Sequence, residues 1–181
     1  MRDKDVDDEY IKLIKAKSSF IVDPNLPDRG VRVDRGWLRD SMTAADFQKV
    51  QADSKDDPKE QQFFGIQCRN LTRVNKEGIK VALGSDGPIP WRAHEQMADM
   101  AGCGMTPAEV IVASTRNAAA LIGIIDTGAI AAKKTADFLV LDANPLDDIT
   151  NTRRINAVYL RGALVDRVGL RTRWTAATSS R

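Results

Sequence analysis

The sequence predicts an α/β fold, the last part of a (β/α) barrel with a small β appendage at its C-terminal end. Three observations predict it. Two short apolar runs, Ser19–Asp23 and Ile79–Leu83, lack alternation, as strands buried on both faces do, and each follows a segment of helical period. The second run feeds Gly84-Ser-Asp-Gly87, which delivers Asp86 on a sharp Gly/Pro turn. In a parallel barrel that is the open mouth, where catalytic groups sit. Beyond Gly123 the period changes to that of short strands, so helices give way to a β segment.

The elements follow in order. Residues 5–17 place Val6, Tyr10, Ile11, Leu13 and Ile14 near helical spacing, with acids leading and Lys12, Lys15 and Lys17 following, which complements a helix dipole. Ser19-Phe-Ile-Val-Asp23 is the first strand, stopped by Asp23-Pro24. Residues 24–42 hold Pro24, Pro27, Gly30 and Gly36 among arginines and aspartates, a connection long enough to be a functional or a mobile loop. Thr43 N-caps the next helix and Asp46 completes a capping-box-like pattern.

After the polar break 53–58, a helix runs from Pro58 to Lys76 and ends at Gly78. Phe63, Phe64, Ile66, Leu71 and Val74 form its buried stripe. Helical pattern returns over 91–103, and Thr106, Pro107 and Glu109 then take the N-cap, N1 and N3 positions of a helix that continues or restarts through Thr115–Gly123. Ala136–Asp142 is a strand, and 157–160 with 163–166 form a hairpin about the turn Arg161-Gly162. The tail 167–181, basic, rich in Ser and Thr and without period, is expected to be poorly ordered.

Composition narrows the function. The 181 residues suit one domain, or one and a fraction, and 43% apolar content supplies a core. A formal charge of +2 demands neither nucleic acid nor an anionic membrane. The arginines of 153–173 are mixed with acids and lack interleaved aromatics, so they read as solvated edge charges rather than a nucleic-acid surface. No run has the apolar length of a membrane span and no signal segment leads the chain, so a cytoplasmic location is expected. Cys68 and Cys103 form no C-x-x-C pattern and are expected to be separate thiols. A chain that opens mid-helix reads as a piece of something longer.

Asp86 is the candidate catalytic residue and metal ligand. Hydrolysis of an amide-like bond by a metal-bound water needs a carboxylate near both the water and the departing nitrogen, to take the proton from one and pass it to the other. A short aspartate at a strand end can do this while also touching the metal. The plainer reading is an ordinary turn in which Asp86 bonds its own backbone. Asp23, at the end of the first strand, is its weaker twin. His94 is a candidate pocket residue, although a lone histidine more often satisfies a neighbouring group. As the chain's one histidine, it excludes a site of several imidazoles built from this chain. Glu95 and Asp99 share a helix face, but no H-E-x-x-H motif accompanies them.

Several motifs recur in order: Val81-Ala-Leu-Gly-Ser-Asp-Gly-Pro88, His94-Glu95, Ala101-Gly-Cys-Gly-Met-Thr-Pro-Ala-Glu109, Ala113-Ser-Thr-Arg-Asn-Ala118 and the stretch Gly128–Leu146. Together they resemble the C-terminal section of the metal-dependent amidohydrolase superfamily, in its imidazolonepropionase-related branch. The resemblance implies a TIM-like barrel joined to a small β-sandwich, with residues 1–127 holding barrel strands seven and eight. Residues 128–166 would be the returning part of the sandwich, and 167–181 the tail. It implies that Asp86 ends strand eight as metal ligand and proton shuttle, with a divalent metal, zinc, as cofactor. The family's H-x-H pair and further histidines are missing from this chain, and Lys133 stands near the family's usual glycine. If that turn needs a positive φ, Lys133 strains it by roughly 1 kcal/mol.

The expected function is hydrolysis of a C–N bond in a small-molecule substrate, a cyclic amide, amidine or dipeptide. This section would need the missing N-terminal half or a homo-oligomer, because two barrel strands leave edges and apolar faces uncovered. The chain alone is expected to be inactive. The alternative is a non-catalytic subunit or interaction module that keeps the scaffold without the metal-binding histidines. Nucleic-acid and membrane partners are not expected.

Overall fold

A computed structural model describes residues 3–17, 19–24, 26–85, 87 and 89–178. Helix α1 (Asp8–Lys15) is capped by Asp7, whose carboxylate accepts the Tyr10 amide at 2.8 Å, and it buries Ile11. Helix α2 (Ala44–Ala52) starts at Thr43 as expected, with the Thr43 hydroxyl accepting the Asp46 amide. Helix α3 (Pro58–Lys76) has Pro58 in its first turn and buries Asn70, Leu71 and Val74. Phe63, Phe64 and Ile66 are half-buried, so the stripe is narrower than its sequence pattern. Buried Asn70 ties α3 to the N-terminus, accepting the Val6 amide at 2.8 Å and donating to the Lys4 carbonyl at 2.9 Å.

Helix α4 (Arg92–Gly102) is followed by α5 (Pro107–Val112), which opens on a complete Thr106/Glu109 capping box. A single π turn, Ala113–Asn117, joins α5 to α6 (Ala118–Leu121), and Gly123 ends the run with φ 77°. The core gathers Val6 and Ile11, Leu71 and Val74, Ile79 and Val81, Met100, Val110, Ala113 and Ile149.

The β appendage is a three-stranded antiparallel sheet of order β1-β2-β3: β1 (Phe138–Leu141), β2 (Ile155–Leu160) and β3 (Ala163–Leu164). Phe138 faces Tyr159 across the ladder and their rings stack at 4.6 Å. Arg161 and Gly162 both take positive φ, 51° and 79°, as a two-residue hairpin turn of the I′ kind requires. The short 3₁₀ turn Ile149–Arg153 buries Ile149 and Thr152 against α4 and so links the appendage to the helices.

Four expectations need correction. The two predicted strands shrink to one parallel bridge, Val22 with Val81. The Val22 amide donates to Lys80 O at 2.9 Å and the Ala82 amide to Val22 O at 2.9 Å. The next bond of a parallel ladder falls to residue 24, and Pro24 has no amide hydrogen to give. Cys68 and Cys103 form a disulfide with Cα atoms 5.2 Å apart, because the middle of α3 lies against the end of α4. From Arg167 the chain is helical, α7 (Arg167–Thr178), where lack of period pointed to irregular structure. Finally, one edge of the second strand is not open. On the side away from Val22, the Leu83 amide donates to Ala113 O at 3.1 Å and Val81 O accepts from Asn117 Nδ2 at 2.7 Å.

Lys133 has φ 67°, the positive value its turn was suspected to need. Among the described residues no helix is long and apolar enough to cross a membrane.

Candidate functional site

The parallel bridge brings two strand ends to the same place. A side chain at position 84 would overlap the Asp23 carboxylate, so Gly84 is what lets Asp23 pack against the turn. Ser85 and Gly87 continue that turn, and Asp86 between them lies outside the described residues.

Beside the turn is a cleft of about 360 Å³, lined by Ser85, Gly87, Ile89 and Trp91, by Asp28 and Arg35 of the long loop, by Val50 and Asp53, and by Arg92 and Glu95 of α4. A neighbouring cleft of about 430 Å³ shares Asp28, Arg35, Arg92 and Glu95 and extends past Arg29, Trp37 and Asp99 to Arg153.

The shared wall is an ionic network. Arg35 Nε meets Glu95 Oε1 at 2.7 Å, and its Nη1 donates to Val50 O at 3.0 Å. Arg92 reaches Asp28 at 3.4 Å and Glu95 at 3.5 Å, while Arg29 pairs with buried Asp99. Burial raises the Asp99 carboxyl above its usual range, and the Arg29 guanidinium opposes that rise. Breaking one partner of such a pair is costly because the other charge is left buried.

His94 lies on α4 but turns toward the β appendage. Its Nδ1 is 3.2 Å from Thr152 Oγ1, and its ring meets Trp37 edge-on at 5.7 Å. Thr152 spends its own hydrogen on Ile149 O at 2.8 Å, so it accepts from His94, which assigns the imidazole proton to Nδ1. Burial, with help from Arg153, lowers the His94 pKa below its ordinary value. Arg153 itself stacks over Trp37 at 4.7 Å.

Among the described residues no group of three or more His, Cys, Asp or Glu side chains is arranged to hold a metal. Asp28, Glu95 and Asp99 are committed to arginines and His94 to Thr152, so these donors do not fit a metal ion. The structure therefore brings Asp23 to the turn and Glu95 to its cleft, and separates the roles of Glu95, Asp99 and His94. Sequence reasoning missed the arginines. Their signal was the alternation of Arg and Asp over 28–40, but their partners stand some sixty to seventy residues away.

The profile of the amidohydrolase family matches residues 6–165. Imidazolonepropionase of Deinococcus radiodurans is 38% identical over 108 residues, 55% of this chain and 27% of that protein. The imidazolonepropionase of Deinococcus deserti is 36% identical over 94 residues, 49% of this chain and 24% of that protein. The chain thus matches about a quarter of the length of these curated relatives and is related to the imidazolonepropionase branch. Among solved structures, molinate hydrolase superposes with a TM-score of 0.65 at 24% identity, over 93% of this chain and 37% of its own. A Xaa-Pro dipeptidase with bound methionine gives 0.64 at 20% identity, over 88% and 37%. Both likenesses concern the fold.

Proposed function

The chain belongs to the amidohydrolase family, and from that premise we propose that it is the C-terminal section of a metal-dependent hydrolase of C–N bonds. The substrate in this reading is a cyclic amide, an amidine or a dipeptide. Residues 1–127 are the end of a TIM-like barrel, with 19–23 and 79–83 as its strands seven and eight. Residues 128–166 are the returning part of a β-sandwich. The observation that carries the reading is the Val22–Val81 parallel bridge, which sets Asp23, at the end of the first run, against Gly84 of the turn whose Ser85 and Gly87 line the charged cleft.

Asp86 is the base: its carboxylate accepts a proton from the attacking water and hands it to the departing nitrogen. His94, engaged by Thr152 and Trp37, is given no part in that transfer. A divalent metal, with zinc as the expected ion and Asp86 as one ligand, belongs to the reading. The described residues offer no cluster of three donors to complete its ligand set, in keeping with a need for the upstream half or for a second copy of the chain. A cytoplasmic location goes with it.

The test is hydrolysis of a cyclic-amide and dipeptide panel by the chain, alone and mixed with a polypeptide carrying an H-x-H strand and further histidines. Activity is expected only in the mixture, reduced about 10²–10⁴-fold by Asp86→Asn. Full activity of the substituted mixture refutes the role of Asp86. One observation favours a second reading, a non-catalytic subunit: the chain's single imidazole is engaged by Thr152. A mixture that holds no stoichiometric zinc and hydrolyses nothing selects it.

A further inference from the structure

We propose that the Cys68–Cys103 disulfide is a redox latch on the loop 26–35, the loop that borders the cleft. The bond joins α3 to the residue that ends α4. One helical turn before each cysteine stands a residue that grips Arg29: Phe64 on α3 and Asp99 on α4. The Arg29 guanidinium lies over the Phe64 ring at 5.8 Å, pairs with the Asp99 carboxylate, and donates from Nη2 to Ala98 O at 3.2 Å. The slot that holds Arg29 is therefore as wide as the spacing between α3 and α4, and the disulfide sets that spacing.

The next residue is fixed differently. Gly30 O accepts from the Asp57 amide at 2.8 Å and from Gln61 Nε2 at 2.7 Å, both at the start of α3. Consecutive loop residues are thus hydrogen-bonded to different helices, Arg29 to α4 across the Phe64 ring and Gly30 to the start of α3. A change in the helix spacing breaks one of the two ties. From Gly30 the loop runs on to Arg35, which pairs with Glu95 in the cleft wall.

The chemistry is a two-electron exchange with a dithiol reductant. Its thiolate attacks Sγ of Cys68, the more exposed of the two, and the Cys103 thiolate leaves and takes up a proton. The reductant's second thiol then displaces Cys68, giving two protein thiols and an oxidised reductant. Two thiols need more room than the bond they replace, so the slot around Arg29 opens and the loop is freed. In a reducing compartment the disulfides that do form are usually transient, either catalytic or redox-sensing. Only the catalytic consequence, a cleft that loses its loop wall, rests on the hydrolase reading.

Hydrogen exchange of the loop amides, before and after dithiothreitol, tests it. Reduction should speed exchange over 26–35 at least tenfold and hasten tryptic cleavage at Arg29 and Arg32, leaving the hairpin 155–164 unchanged. Oxidised glutathione should reverse both effects. Cys68→Ser should mimic reduction, and Arg29→Met should release the loop with the disulfide intact. Equal loop exchange in both redox states overturns the proposal, as does loss of protection in the hairpin as well, which makes the bond a general staple. Asp86→Asn should respond like the parent chain, so failure of the hydrolase reading leaves this result standing.

Discussion

Gly30→Ala tests whether the cleft loop is anchored as described. Gly30 has φ 63°, and a Cβ there would stand 2.5 Å from Asp57 O, 2.7 Å from Gln61 N and 2.8 Å from Glu60 Cβ. The left-handed backbone alone costs about 1 kcal/mol for a non-glycine residue. The overlap is with backbone at the start of α3, which cannot swing aside as a side-chain end does, and overpacking of that kind costs about 1–3 kcal/mol. The sum is about 2–4 kcal/mol, or a fall in Tm of about 5–15 °C for a chain of this size. Gly78→Ala is the internal control. Gly78 has φ 71°, yet nothing lies within 4 Å of its added Cβ. Its cost is about 1 kcal/mol at most, offset in part by the lower chain entropy of unfolded alanine. Thermal unfolding followed by circular dichroism separates the two. Equal losses in the two variants would show that the φ penalty is all there is and that the Gly30–Asp57 approach carries no stability.

Two further predictions concern other elements. Lys133→Gly should raise stability slightly, by up to about 1 kcal/mol less the entropy glycine brings to the unfolded chain, while Lys133→Ala should not. Urea midpoints measure both, and a clear loss with glycine would show that Lys133 at φ 67° is unstrained. The second concerns pH. His94 has a folded pKa below its ordinary value, so the unfolded chain binds the extra proton and stability is full above about pH 6.5 and declines as pH falls through it. As the chain's one histidine it dominates that window, so His94→Gln should flatten the Tm profile between about pH 5.5 and 7.5. An unchanged slope would remove the desolvated imidazole from the account.

Local rules were legible where the deciding groups lie within one helical turn. Thr106, Pro107 and Glu109 build their capping box, Thr43 caps α2, and Arg161-Gly162 makes the hairpin turn. The extent of strand pairing was less legible. Apolar run length points to strands buried on both faces. That holds for Ile79, Val81 and Ala82 but not for the first run, where Phe20 is 49% exposed. A ladder also needs donors, and Pro24 withholds the one that would carry the bridge forward. The cysteine pair was illegible for a similar reason. A spacing of 35 residues says nothing about distance until α3 and α4 are laid side by side. The cleft's electrostatics likewise depend on Arg29, Arg35 and Arg92 meeting residues that sequence order keeps apart, apart from the local Arg92–Glu95 pair. A basic and acidic loop looks the same on paper whether it is solvated or woven into a wall.

The edge of the second strand shows how a local irregularity settles a tertiary question. An uninterrupted α-helix would use the Ala113 carbonyl within its own ladder. Over Ala113–Asn117 the helix takes a π turn, and there the Ala113 carbonyl also accepts the Leu83 amide while Asn117 Nδ2 serves Val81 O. The strand that leads to the Asp86 turn is thereby hydrogen-bonded on both sides, by Val22 and by the helix. Any strand that came to pair with 79–83 on that side would first have to displace Asn117 and Ala113, two good bonds lost before new ones form. The chain's uncovered surface lies elsewhere. Leu121, Ile122, Ile124 and Ile125 are 44%, 69%, 44% and 83% exposed, a run of large apolar side chains beyond what scattered surface residues explain. The capped edge by 79–83 therefore differs from this apolar run: it is closed by hydrogen bonds from within the chain, and a strand arriving there is limited in the registers it can take.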